Sequence, residues 1–140
     1  MRTEEIMDDL KQKDNREFPR EMIDAEKIDI VEYLNELLKA KGVTIPTLSY
    51  KLPYERSYLY SFFNNRRKPT RALLLQIAIL LSLSTEETQR LLRIGQKAAL
   101  YPRVPADAVV IYALEHKLSL DETDELLTQI GEAPFFFEPS

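Results

Sequence analysis

Apolar residues recur at intervals of three and four along most of this chain, and that spacing commits it to helices. Ile28, Val31, Leu34, Leu37 and Leu38 make one apolar stripe and predict a helix over residues 28–41. Asp24 or Asp29 supplies negative charge near its start, and Lys39 and Lys41 supply positive charge near its end. Gly42 is its expected C-terminal cap. Start and stop residues cut the rest of the chain into short pieces. Thr44 caps a helix over residues 44–52, with Pro46 in its first turn and Pro53 closing it. A second short helix over 55–64 turns Leu59, Phe62 and Phe63 inward and stops at Asn64-Asn65. Thr70 caps a helix over 71–83, and Ser84 caps one over 85–94 with Gly95 at its end. Residues 96–105 hold two prolines and read as a linker. Residues 107–117 form an amphipathic helix. Ser119 caps the last helix, 120–130, and Gly131 and Pro134 end it. The expectation is an all-α fold.

The two ends are less regular. Ile6, Met7 and Leu10 line a short amphipathic stretch that Asn15 and Pro19 interrupt, which makes residues 1–27 an acidic, mixed-charge arm. Phe135-Phe136-Phe137 forms an apolar tail. Between them lies an internal repeat. Leu83-Ser84-Thr85-Glu86-Glu87-Thr88-Gln89-Arg90-Leu91-Leu92 matches Leu118-Ser119-Leu120-Asp121-Glu122-Thr123-Asp124-Glu125-Leu126-Leu127 at an offset of 35 residues. Two copies are too few for a solenoid, so they predict two similar hairpins packed side by side.

Composition narrows the function. The 140 residues are 44% hydrophobic, enough for a packed interior. With 0 cysteines there is neither a disulfide framework nor a thiolate metal site. Residues 1–29 are charged and lack a long apolar run, which argues against a secretory signal. No stretch is long enough to span a bilayer, and a cytoplasmic location is expected. The net charge of −4 is unevenly spread. Residues 1–29 carry −4, residues 30–72 carry +5 and residues 73–140 carry −5. A basic middle between acidic flanks is the footprint of a phosphate-binding surface, or an ordinary solvated face.

The basic middle holds the most informative pattern. Two short amphipathic helices joined by a tight turn, then a basic loop and another helix, follow the helix-turn-helix plan. In that plan the first helix braces the second across the DNA backbone, and the second presents its N-terminal side chains to base edges in the major groove. Thr44, Leu48, Leu59, Phe62, the Asn64-Asn65-Arg66-Arg67-Lys68-Pro69-Thr70 run, Leu74, Ile77, Ala78 and Leu81 together resemble the lambda-repressor-like (XRE-type) family. The resemblance implies a five-helix domain over residues 28–96, with residues 97–140 as an appended helical hairpin. It also implies a sequence-specific transcriptional regulator that binds double-stranded DNA, usually as a homodimer. Carried over position by position, Arg56, Ser57, Tyr58, Tyr60 and Ser61 are the base-reading candidates. Thr44, Lys51, Asn64, Arg66, Arg67, Lys68 and Arg71 are the phosphate-contacting candidates.

Four residues depart from the family pattern. Ile45 stands where a phosphate-touching Gln is common, and Ser49 where Ala is usual. Pro53 replaces the Gly of the turn, and Glu55 brings negative charge to the phosphate surface. Tyr50, Tyr54 and Tyr58 lie near Phe62 and Phe63, so the alternative is an adaptor or antitoxin-like interaction module using this aromatic face or the Phe135–Phe137 tail. His116 is the sole histidine and is expected on a helix surface. Asp121, Glu122, Asp124 and Glu125 suit a helix start better than a metal. No cofactor is implied, and no catalytic constellation is present, so no enzymatic activity is expected.

Overall fold

The computed structural model describes residues 28–135. The predicted arm helix near Ile6–Leu10, together with Phe136 and Phe137, lies outside the described residues. Among the described residues there are seven helices and no strand. In chain order they are α1 (Ile30–Lys41), α2 (Ile45–Lys51), α3 (Arg56–Phe63), α4 (Arg71–Leu80), α5 (Thr85–Ile94), α6 (Pro105–Glu115) and α7 (Leu120–Gln129). No helix is long and apolar enough to cross a membrane.

Five helices start on a side-chain cap. Asp29, Thr44, Thr70, Ser84 and Ser119 each accept a hydrogen bond from a first-turn N–H of α1, α2, α4, α5 and α7 respectively. Ser84 and Ser119 build full capping boxes. Glu87 returns a carboxylate to the Ser84 N–H at 3.0 Å, and Glu122 does the same for Ser119 at 3.0 Å. The ends are equally uniform. Six of the seven helices stop on a left-handed residue: Gly42, Asn65, Ser82, Gln96, Lys117 and Gly131. In each case the next N–H bonds back across the last turn to the carbonyl five residues earlier, as Leu83 to Ala78 at 3.0 Å and Leu118 to Ala113 at 2.9 Å. The exception is α2, which leaves through an extended Leu52.

The repeat seen in the sequence is a repeat of structure. Ser84 and Ser119, Ser82 and Lys117, and Gln96 and Gly131 are corresponding pairs at the same 35-residue offset. The threonine after each capping box, Thr88 or Thr123, donates to the cap carbonyl at 2.8 Å. The hairpin α6–α7 therefore reproduces α4–α5 from the end of its first helix onward, whereas the starts differ: Thr70 caps α4 with its hydroxyl and Val104 makes no side-chain cap bond before α6.

The helices close around α4. Every residue from Leu73 to Ile79 is buried, Gln76 included, so α4 has almost no solvent face. It packs against α5, α6 and α7, while α1 packs against α5 and α2 against α3. Val110, Leu114 and Leu120 of the second hairpin join the same core cluster as Leu34, Leu59 and Phe62. The two hairpins thus share one interior. Gly95 has an ordinary φ, and the left-handed position is the next residue, Gln96. An added Cβ at 95 would lie 2.7 Å from Leu74 Cδ1, so a larger residue there would require that buried side chain to shift.

The expected linker is a packed connection. Gln89 clamps it at both ends of its amide, with Nε2 donating to the Leu100 carbonyl at 2.9 Å and Oε1 accepting from the Leu100 N–H at 2.8 Å. Leu100 is buried. On the far side, Arg90 lies 5.5 Å from the ring centroid of Tyr33 and ties α1 to α5.

Candidate nucleic-acid interface

Residues 44–71 place the expected site on one contiguous surface segment. Thr44 is committed to its cap, its Oγ1 accepting from the Thr47 N–H at 3.3 Å. Leu48 and Leu59, fully buried, hold α2 and α3 against the core. The link between them needs no left-handed residue. Leu52 at φ −101°, ψ 151° and Glu55 at φ −65°, ψ 148° are both extended, so Pro53 fits a turn where the family pattern has glycine.

The turn is held by aromatic stacking. Tyr54 stacks on Tyr58 with ring centroids 4.9 Å apart and planes 17° from parallel. The Arg67 guanidinium lies 4.8 Å from the Tyr58 centroid. A single stack, Tyr54–Tyr58–Arg67, thus joins the turn, the start of α3 and the basic loop. Burial pushes the Tyr54 phenol up, while hydrogen bonding from the neighbouring Gln76 and Thr70 side chains pulls it down. Gln76 itself buries an Oε1 without a hydrogen-bond partner among the described residues.

The outward face of α3 follows from its inward one. Leu59, Phe62 and Phe63 point inward, so Arg56 and Ser57 are exposed and Tyr60 and Ser61 are half-buried at its flank. Glu55 occupies the N-cap without making a side-chain cap bond, leaving its exposed carboxylate at the head of the reading face. After α3, Asn65 at φ 60° turns the chain, and Arg66, Arg67 and Lys68 stand exposed before the buried Pro69. Asn64 and Lys51 are exposed as well.

Besides Thr44, two expected site residues are engaged internally. Tyr58 is half-buried and stacked by Tyr54, with Arg67 against it. Arg71 is spent on the second hairpin. Its Nη1 and Nη2 donate to the Asp107 carboxylate at 3.1 and 2.9 Å, and its Nε and Nη2 donate to the carbonyls of Ala98 and Ala99. Asp107, 6% exposed, also accepts from the Tyr101 N–H at 3.0 Å. This removes Arg71 from the cationic set and makes it a structural clamp. No local pattern marks that pair, since its partners are 36 residues apart.

The tyrosines do not form one exposed face: Tyr50 is 90% exposed, whereas Tyr54 and Tyr58 are half-buried. Phe135 packs partly buried against the core, and its N–H donates to Asp124 Oδ1. His116 is exposed beside Tyr112, and no group of acidic and histidine side chains suited to a metal is present among the described residues. Comparison of the chain with known protein families, with curated proteins and with solved structures finds no match.

Proposed function

We propose that α2 and α3 are a lambda-repressor-like helix-turn-helix and that the protein is a sequence-specific DNA-binding transcriptional regulator. The observation that carries this reading is the continuity of one exposed strip. It runs from Arg56 and Ser57 on the first turn of α3, past Asn64, to Arg66, Arg67 and Lys68, on a pair of short helices braced by the core. In this reading α3 enters the major groove and the Arg56 guanidinium grips a guanine edge with two hydrogen bonds. Ser57, Tyr60 and Ser61 line the same groove wall. Asn64, Arg66 and Lys68 meet phosphates and set register, with Lys51 at the bracing helix. Tyr58 holds Arg67 in place through its ring. One eight-residue helix reads too few base pairs to select a site, so two copies act on two half-sites.

The test is binding of the purified protein to mixed duplex DNA at low and moderate salt, followed by selection of bound sequences. Affinity that falls steeply with salt, with an enriched two-fold symmetric motif, supports the reading. Arg56→Ala then relaxes selectivity at one base by about 1–3 kcal/mol, and neutralising Arg66, Arg67 and Lys68 weakens binding to all sequences with a shallower salt slope. Absence of binding at low salt sinks it. The protein-interaction reading then leads. The observation favouring it is Tyr50, a large aromatic ring left almost entirely in water beside Lys51.

A further inference from the structure

Helix α6 carries two apolar stripes. The inner one, Val110, Ala113 and Leu114, is buried, and the one charge beside it, Asp107, is taken up by Arg71. The outer one is Pro105, Ala108, Val109 and Tyr112, which share a helix face by their spacing. Pro105 and Tyr112 are exposed, and Ala108 and Val109 are half-buried. Tyr101 and Val104 precede this stripe and are exposed too. Their turn is fixed, with the Tyr101 N–H on Asp107 and the Val104 N–H on the Tyr101 carbonyl. Among the described residues five large apolar side chains stand exposed, and three of them, Tyr101, Val104 and Tyr112, lie on or just before α6. Such an accumulation marks a contact surface.

The repeat indicates what fits this surface. At the 35-residue offset Ala108, Val109 and Tyr112 correspond to Leu73, Leu74 and Ile77 of α4, all fully buried by neighbouring helices of the chain. The other outer helices present charge to water, α1 through Glu32, Glu36 and Lys39, and α7 through Asp121, Glu122 and Glu125. The last unit of a stack needs a polar outer face to stand alone. On α6 the only exposed charge is Glu115, at the C-terminal end. The outer stripe also matches itself. Pro105 and Tyr112 are equally far from the point between Ala108 and Val109. A second α6 laid antiparallel therefore sets each Tyr112 ring on the partner's Pro105, with the small Ala108 side chains at the crossing. Charge matches in the same way. Arg103, exposed before the start of α6, forms no ion pair among the described residues, and Glu115 is steadied by Thr85 Oγ1, which donates to it. Antiparallel pairing brings these opposite charges together at both ends. A face complementary to itself under a two-fold rotation closes at two copies.

We infer that a second copy of this chain covers the outer stripe, the two α6 helices packing antiparallel about a two-fold axis that passes between Ala108 and Val109. One helix and one turn from each copy make a contact smaller than the roughly 800 Å² per partner of a standard interface, so association falls in about the micromolar range. The Arg71–Asp107 pair joins α6 to α4, the helix that follows the basic loop, so the pairing surface and the candidate site share one frame. Pairing thereby couples two α3 helices for two half-sites. That consequence rests on the DNA reading above, whereas the pairing itself does not.

The experiment is sedimentation equilibrium of the full chain without DNA, from about 1 to about 500 μM, with a dimer expected in the upper part of that range. Tyr112→Lys, at an exposed position, is expected to weaken the dimer about tenfold or more, since each interface loses two rings. Arg103→Glu weakens it about threefold, and adding Glu115→Arg restores it. A monomer at every concentration overturns the inference, and so does a dimer that Tyr112→Lys leaves equally tight. Disulfide cross-linking provides a second readout that stands even if circular dichroism shows Tyr112→Lys to be unfolded. Ala108→Cys, in a chain with 0 cysteines, lies beside the axis and is expected to give a covalent dimer on mild oxidation, because its two Cα atoms come within about 7 Å. Glu125→Cys, exposed on α7, is expected to stay monomeric under the same conditions. Equal cross-linking at the two positions overturns the inference. Duplex binding separates the two readings. A dimer through α6 that binds no DNA at low salt leaves the pairing standing and removes the DNA reading, and a monomer with salt-sensitive DNA binding does the reverse.

Discussion

Replacing Asp107 with alanine tests whether the two hairpins are one folding unit. The substitution removes the acceptors of Arg71 Nη1 and Nη2 and of the Tyr101 N–H, three hydrogen bonds that all end on the carboxylate and are charge-assisted. Deleting one partner of a fully buried ion pair costs about 3–5 kcal/mol, because the other charge is stranded. Arg71 is not fully stranded here. Its side chain is 31% exposed, and the Ala98 and Ala99 carbonyls still receive its Nε and Nη2. Water and those carbonyls together reduce the expected loss to about 2–3 kcal/mol. Asp107→Asn keeps the shape and one acceptor, and is expected to lose about 1–2 kcal/mol. Urea unfolding followed by far-ultraviolet circular dichroism measures both. With an m-value of about 1–1.5 kcal/mol/M, Asp107→Ala moves the midpoint down by about 2 M in a single transition. A loss below about 0.5 kcal/mol would refute the clamp. Two separate transitions in the wild-type protein would refute the shared core.

Other substitutions probe the helix ends. Gly95→Ala drives a Cβ against the fully buried Leu74 and is expected to cost about 1–3 kcal/mol; an unchanged thermal midpoint means Leu74 turns aside freely. Lys117→Gly relieves a left-handed residue at φ 52° and is expected to stabilise by about 0.5–1 kcal/mol, with a loss on urea titration counting against it. Glu55→Ser places a hydroxyl at the uncapped start of α3, gaining about 0.5–1 kcal/mol, and raises DNA affinity if the reading face is as proposed. Glu87 is held below its ordinary value of 4.5, chiefly by the Ser84 N–H that donates to it; burial opposes this, and the Ser84 side chain and the charges of Lys41 and Lys117 add to the lowering. A depressed carboxylate stabilises fully above its unfolded value and loses that contribution as pH falls through the folded one. Wild type should therefore exceed Glu87→Gln by less than about 1 kcal/mol at neutral pH, and the gap should close in acid below 4.5.

Helix starts were legible because a cap is a local device. A Ser or Thr followed three residues later by an N–H that needs an acceptor carries its own explanation, as at Thr44, Thr70, Ser84 and Ser119. Helix stops were half legible. Gly42 and Asn65 announce a left-handed turn, whereas Ser82, Gln96 and Lys117 adopt one without a residue type that favours it. Gly95 misleads because its φ is ordinary, and its close neighbour is the Leu74 side chain. At the candidate site, the exposure of Arg56 and Ser57 follows from helical spacing alone. The capture of Arg71 by Asp107 and the stacking of Tyr58 do not, since both depend on partners that only the tertiary fold brings near.

The central position of α4 has a consequence for how the protein is made. Its partners α6 and α7 are the last helices of the described chain to be synthesised, and they cover a helix whose residues from Leu73 to Ile79 have no tolerance for water. A nascent or truncated chain that ends before residue 105 carries α2 and α3 but leaves a leucine- and isoleucine-rich flank of α4 open, the kind of surface that chaperones and proteases engage. The C-terminal hairpin thereby covers α4 against such engagement. The exposed strip of α3, though it belongs to other helices, depends on that cover for a durable platform.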